Sequence, residues 1–275
     1  MPFSVLLSIY QGTTASELAQ CLESLCQQTL QADEIIVVKD GPITSDTDAC
    51  LTDFINRLPL ILLAYETNRG LGPALQDGLK RCSNEFVARV DTDDLCRPER
   101  FYTQVQFLTV NQEISVIGGG LEESYINKRA HHKVVRNGPT TPIGVVNCAK
   151  KRNPLNHPTV MFRKSDVISC GGYERCDFFE DYLLWAKMIV SGYHLINISD
   201  ILVETVVSPD YFRRRGGISY IANEIHLNRR FRQIGFFSRY DSFVFLSTRI
   251  PVRLLPTRYR EYVYQSYLRQ THFFS

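Results

Sequence analysis

Val87-Ala88-Arg89-Val90-Asp91-Thr92-Asp93-Asp94 joins an apolar run to three nearly adjacent carboxylates. Clustered carboxylates repel one another and are costly to desolvate, so at the end of a buried strand they need a cation or strong hydrogen bonds. Mg²⁺ or Mn²⁺ meets that need, because either ion is held by a few protein carboxylates while water and substrate phosphates complete its shell. A diphosphate-bearing substrate is implied. A single Asp here would be read as a cap for a helix starting near Arg97-Pro98-Glu99-Arg100. Three acids around one threonine favour the metal.

Outward from this stretch, the first half of the chain alternates apolar strands with amphipathic helices. Phe3 to Tyr10 is a β run, Ala15 to Gln28 places Leu18, Leu22 and Leu25 at helical spacing, and Glu34 to Lys39 is a second β run. A helix over Asp46 to Arg57, a strand over Leu60 to Tyr65, a helix over Leu71 to Arg81 and a strand over Glu85 to Val90 complete the series. Such alternation predicts an α/β fold with a mostly parallel, doubly wound sheet flanked by helices. Ligands of such sheets lie beyond the carboxyl ends of the strands, where Tyr10, Asp40, Asn68-Arg69-Gly70 and the acid cluster fall.

The 275 residues are 44% hydrophobic, enough for a substantial core in one large or two small domains. No apolar stretch approaches the roughly 20 residues that cross a bilayer, and Met1-Pro2-Phe3-Ser4 lacks the features of a signal peptide, so a cytoplasmic protein is expected. The eight cysteines show no metal-binding spacing and read as reduced thiols. The net charge of +2 hides an asymmetry: residues 210–275 hold 12 Arg against 4 acids.

No Gly-x-Gly-x-x-Gly follows the first strand, and no Gly-Lys-Ser/Thr occurs, which disfavours a dinucleotide dehydrogenase and a P-loop enzyme. Six stretches occur in order: the opening strand with Tyr10; Val37-Val38-Lys39-Asp40-Gly41; Asn68-Arg69-Gly70-Leu71-Gly72; Ala88 to Asp94; His157-Pro158-Thr159-Val160-Met161-Phe162-Arg163; and Phe179-Glu180-Asp181-Tyr182-Leu183-Leu184-Trp185. Over about residues 3 to 206 this ordered set resembles the family 2 inverting glycosyltransferases.

The resemblance implies a GT-A fold that binds a nucleoside diphosphate sugar with Mn²⁺ or Mg²⁺ and transfers the sugar with inversion. Asp40 would accept from the base, with Tyr10 against it and Arg69 beside it. Taken alone, Asp40 fits a turn, Tyr10 a core aromatic and Arg69 a solvated loop charge. Asp93 would be the metal ligand, Asp91 would lie near the ribose or the metal, and Asp94 would stand second in line. Asp181 would be the catalytic base, although a first-turn helix acid is the commoner use of such an Asp. Glu180 and His157 would contact the acceptor or support the site, and Trp185 would be core.

Gly120 to Asn156, rich in Lys, Arg and Pro, reads as a mobile insertion. Arg214 and Arg215, in Tyr211-Phe212-Arg213-Arg214-Arg215, are candidates for the diphosphate and equally for an anionic lipid surface. In the tail, basic residues alternate with aromatic ones, as in a helix lying on an anionic membrane and equally as in a helical hairpin packed on the sheet. No nucleic-acid module is visible.

The resulting expectation has three parts: a nucleotide-sugar-binding half over 1–95, an acceptor-binding half over 96–209, and a basic aromatic helical tail over 210–275. The expected enzyme is peripheral on the inner face of the cytoplasmic membrane. It moves a hexose or N-acetylhexosamine from a UDP-sugar, with UDP-galactose or UDP-glucose favoured, to an undecaprenyl-diphosphate-linked saccharide of O-antigen or capsule. A sugar-nucleotide pyrophosphorylase and a non-catalytic binding module are the alternatives; the first lacks its glycine-rich loop at Ser8 to Thr14, and the second would lack Asp93 or Asp181.

Overall fold

The computed structural model describes residues 1–127, 130–207, 216–256 and 259–260. Strand β1 (Phe3–Ile9) leads through α1 (Ala15–Cys26) to β2 (Glu34–Lys39), α2 (Ser45–Phe54), β3 (Leu60–Ala64), α3 (Leu71–Arg81) and β4 (Phe86–Arg89). These four strands are parallel in the order β3-β2-β1-β4. Successive residues of a strand feed opposite layers, so an apolar run with helices on both sides is buried on both faces. Val5, Leu7 and Ile9 pack with Leu18 and Leu22 of α1, whereas Leu6, Ile36 and Val38 pack with Leu75 and Leu79 of α3. A reciprocal cap between Thr14 and Glu17 starts α1. Helix α3 approaches the sheet through Gly78, where a Cβ would fall 2.4 Å from Leu6 and 2.7 Å from Val38.

The chain continues through β5 (Asp94–Cys96), α4 (Arg100–Val110), β6 (Ile114–Asn127), β7 (Ala130–Arg136) and α5 (Pro142–Ala149). A 3-10 turn (His157–Thr159), β8 (Met161–Arg163), α6 (Lys164–Ser169), α7 (Glu180–Val190) and β9 (His194–Val207) follow. All these strands join the same sheet, in the order β3-β2-β1-β4-β8-β6-β9-β5, with β7 on β6. β8 runs antiparallel to β4 and β6, and β5 antiparallel to β9. The sheet is thus parallel in its first half and mixed in its second.

Asp94 opens β5, and α4 starts at Arg100 with Glu99 at its cap, so none of the three acids caps that helix. The segment from Gly120 to Asn156 differs from the expected mobile insertion: it supplies the end of β6, then β7 and α5. Its charges are paired across strands, Glu122 with Lys133 at 2.6 Å and Glu123 with Arg136 at 3.0 Å. Such pairs let a charged sequence sit in a sheet.

In the basic tail, α8 (Ile218–Gln233) and α9 (Arg239–Leu254) pack together and on α7. The ring of Phe231 lies 4.9 Å from Tyr182 and 4.7 Å from Phe237. Fully buried Glu224 pairs with Arg249 at 2.9 Å and with Arg253 at 2.8 Å. α8 and α9 thus form a packed hairpin, seated on α7 rather than on the sheet, while Tyr240 and Phe243 stay exposed on α9. Among the described residues no helix is long and apolar enough to cross a membrane.

Candidate active site

The end of β4 delivers the acid cluster to the carboxyl edge of the parallel strands. One carboxylate oxygen each from Asp91, Asp93 and Asp94 lies within 4.8 Å of the others. Asp94 is buried against β9, Asp91 is half-buried, and Asp93 opens to solvent. Burial, followed by the charges of Asp91 and Asp93, pushes the Asp94 carboxyl well up, against a hydrogen bond from Thr205. Partial desolvation and the charge of Asp91 likewise raise Asp93. Closely set oxygens that hold their protons too tightly for lack of positive charge fit a hard dication.

Arg89, which the sequence reading did not single out, is the protein's own counter-charge. Only 2% of its side chain is exposed, and its guanidinium is ion-paired to Asp91. The charge of Arg89 also lowers the carboxyls of Asp93, Asp94 and Glu180, the Tyr173 hydroxyl and the His157 imidazole. Arg100, also buried, donates to the Arg89 carbonyl at 2.7 Å and fixes that strand end.

On the other flank, Asp40 is 3% exposed at the end of β2. Its two oxygens accept from the backbone N–H groups of Arg69 at 2.8 Å and Gly70 at 2.9 Å, shaping the turn that enters α3. Gly70 there adopts φ +92°, which favours glycine. The Arg69 guanidinium stacks 3.4 Å over Tyr65 and meets Asp77 at 2.8 Å, so it is anchored rather than a solvated loop charge. Tyr10 is 47% exposed beyond β1, which excludes the core-aromatic reading.

Asp181 lies in the first turn of α7. Its Oδ2 accepts from Asn153 Nδ2 at 2.5 Å and its Oδ1 from the Tyr182 backbone at 2.7 Å. Glu180 beside it is buried, and burial pushes its carboxyl up to about 7. His157 Nε2 shares a hydrogen bond of 2.9 Å with Tyr173, and burial followed by the Arg89 charge holds the imidazole neutral, well below its ordinary range. His157 is therefore a structural partner of Tyr173 rather than a proton carrier near neutrality. Burial pushes the Tyr173 hydroxyl well up, against the charge of Arg89 and with the charges of Asp181, Asp91 and Glu180 adding to the rise. Trp185 is fully buried, as expected of core.

Phe178, just before this turn, has φ +71°, a conformation costly for a bulky residue. Its exposed ring rests 5.2 Å from Tyr220 of α8. Arg214 and Arg215 lie outside the described residues, as does the chain beyond residue 260.

Residues 4–170 match the glycosyl transferase family 2 profile. The chain is 37% identical to the amylovoran biosynthesis glycosyltransferase AmsE of Erwinia amylovora, over 96% of this chain and 98% of that one. It is 34% identical to the UDP-Gal:alpha-D-GlcNAc-diphosphoundecaprenol beta-1,3-galactosyltransferase of Escherichia coli, over 98% and 97% of the two chains. Among solved structures, the mannosyltransferase PcManGT of Pyrobaculum calidifontis, in complex with GDP-Man and Mn²⁺, superposes with a TM-score of 0.65 at 16% identity, covering 96% of this chain and 75% of that one. That likeness bears out the GT-A fold, and the family profile and two close relatives show that the chain belongs to glycosyl transferase family 2.

Proposed function

We propose that the chain moves a hexose or N-acetylhexosamine, with galactose or glucose from a UDP-sugar favoured, onto an undecaprenyl-diphosphate-linked saccharide during assembly of a bacterial surface polysaccharide. The observation that carries this reading is the set of three carboxylate oxygens within 4.8 Å at the carboxyl edge of the parallel strands. The activity named for the Escherichia coli relative supports both the UDP-sugar and the lipid-linked acceptor.

Residues 1–95 would hold the donor, with Asp40 accepting from the base, Tyr10 against it and Arg69 beside it. Asp93 and Asp91, backed by Asp94, would hold Mn²⁺ or Mg²⁺, which when bound stabilises the charge gathering on the departing diphosphate. Arg214 and Arg215 would meet the same diphosphate. Residues 96–209 would hold the acceptor. There Asp181 takes the proton of the acceptor hydroxyl as its oxygen bonds to the anomeric carbon and the nucleoside diphosphate leaves from the opposite face, a single displacement with inversion. Glu180 beside Asp181, whose carboxyl burial pushes up to about 7, would support the site on the acceptor side. Exposed Tyr240 and Phe243 beside Arg239 on α9 suit contact with an anionic membrane, which would set the enzyme on the inner face of the cytoplasmic membrane.

The test offers the purified enzyme a panel of nucleotide sugars, with and without Mn²⁺, together with an undecaprenyl-diphosphate-linked N-acetylglucosamine. Metal-dependent transfer from one UDP-hexose, with inverted anomeric configuration in the product, is expected. Retention of configuration, or transfer unaffected by chelation, would overturn the mechanism.

A further inference from the structure

Asp181 is held by a neighbour that no sequence motif marks. Asn153 lies in the stretch between α5 and the 3-10 turn, and its Nδ2 donates to Asp181 Oδ2 at 2.5 Å. The backbone N–H of Tyr182 takes the other oxygen at 2.7 Å. Those two donors fix both the position and the rotation of the carboxylate.

The stretch that carries Asn153 is itself fastened from several sides. Tyr182 Oη donates to the Ala149 carbonyl at 2.7 Å, tying the end of α5 to the helix that carries Asp181. Lys150 donates to the Phe236 carbonyl and meets Asp241 at 3.3 Å. Arg249 of α9 donates to the Lys151 carbonyl at 3.1 Å, and Asn197 of β9 donates to the Pro154 carbonyl at 3.1 Å. Helix α7, strand β9, helix α9 and the turn that precedes it thus converge on the short stretch around Asn153. Its own Oδ1 accepts from the Leu155 N–H at 3.4 Å, so the amide has a fixed orientation with its NH₂ toward Asp181.

We propose that Asn153 is a positioning residue for the transfer, orienting the Asp181 carboxylate toward the acceptor hydroxyl, and that α9 and the turn before it serve catalysis by fastening the stretch that carries it. This rests on the reading of Asp181 as the base. A base must sit within hydrogen-bond reach of the proton it takes, and a displacement of about 1 Å can cost about a hundredfold in rate. Asn153 touches neither sugar in this assignment, so its loss acts on kcat and leaves substrate affinities in place.

The experiment compares Asn153→Leu, Asn153→Ala and Asp181→Asn in the full chain, with kcat and both KM values measured for each. Asn153→Leu roughly keeps the shape, removes the donor and adds no charge beside Asp181, and it guards against a cavity in the alanine variant. Both Asn153 variants are expected to lower kcat by about 10- to 100-fold, with donor and acceptor KM within about twofold of the parent and an unchanged melting temperature. Parent-like kcat in either variant, with Asp181→Asn inactive, would overturn the role of Asn153 and leave the base in place. A fall in kcat accompanied by higher KM and lower melting temperature would make Asn153 merely structural. An active Asp181→Asn would remove the base, and the positioning role with it.

Discussion

The guanidinium of Arg89, sealed inside the sheet, is ion-paired with the Asp91 carboxylate where the acid cluster meets the interior. The apolar stretch around it is interrupted by this one cation because Asp91, Asp93 and Asp94 leave more negative charge than hydrogen bonds relieve. Replacing Arg89 with Met would leave Asp91 facing apolar surroundings on one side. The expected loss is roughly 2–3 kcal/mol of folding stability, below the usual cost of breaking a buried pair because Asp91 still reaches water. Urea unfolding of Arg89→Met measures it.

Glu180 gives a stability signature with a defined sign. Its carboxyl is held at about 7 by burial, above its ordinary 4.5, so the native state keeps a proton that the unfolded chain has already lost. A raised folded value means that stability is full below about pH 4.5 and falls as pH rises toward 7, by up to about 3 kcal/mol. Glu180→Gln removes this dependence. Unfolding midpoints of the two proteins should coincide near pH 4.5 and separate by pH 8, with the variant the more stable.

Asp181→Asn keeps the shape of the first turn of α7 and its contact with Tyr182, yet loses the proton acceptor. Donor binding should stay within about twofold while transfer falls about 10²- to 10⁴-fold, the range for loss of a general base. Titration of UDP with Mn²⁺ alongside steady-state transfer separates the two.

The hairpin of α8 and α9 is expected to be part of the folding unit. Phe231→Ala would open a cavity among Tyr182, Phe236, Phe237 and Phe245 and cost about 3–5 kcal/mol. Thermal unfolding of the variant checks this.

The parallel half of the sheet was legible because strands buried on both faces must be apolar throughout, as Ile35 to Val38 are, and because α3 runs over the expected Leu71 to Arg81. The acid cluster was legible for the converse reason: nothing in a core needs Asp91, Asp93 and Asp94 together. Arg89 escaped notice since a lone charge in a strand carries no periodicity, and only its ion pair with Asp91 gives it meaning. Glu122 and Glu123 hid β6, because each looks like loop charge until Lys133 and Arg136 are placed opposite. The tail alternates arginine with aromatics, a pattern common to a membrane face and to a core in which Arg249 and Arg253 neutralise Glu224. Asn153 sits in a Lys-Arg-rich stretch, and its donation to Asp181 spans residues far apart in the chain.

The most direct test of the central claim is thermal unfolding with UDP, GDP, CMP or dTDP, with and without Mn²⁺, for the parent and for Asp93→Ala. A ligand at about 100 times its dissociation constant adds roughly 2.7 kcal/mol to the folded state. Stabilisation of the parent by UDP only when Mn²⁺ is present, and its absence in Asp93→Ala, is the predicted result. Equal stabilisation of Asp93→Ala, or no response of the parent to any nucleotide with metal, would contradict a metal and diphosphate site at Asp91, Asp93 and Asp94.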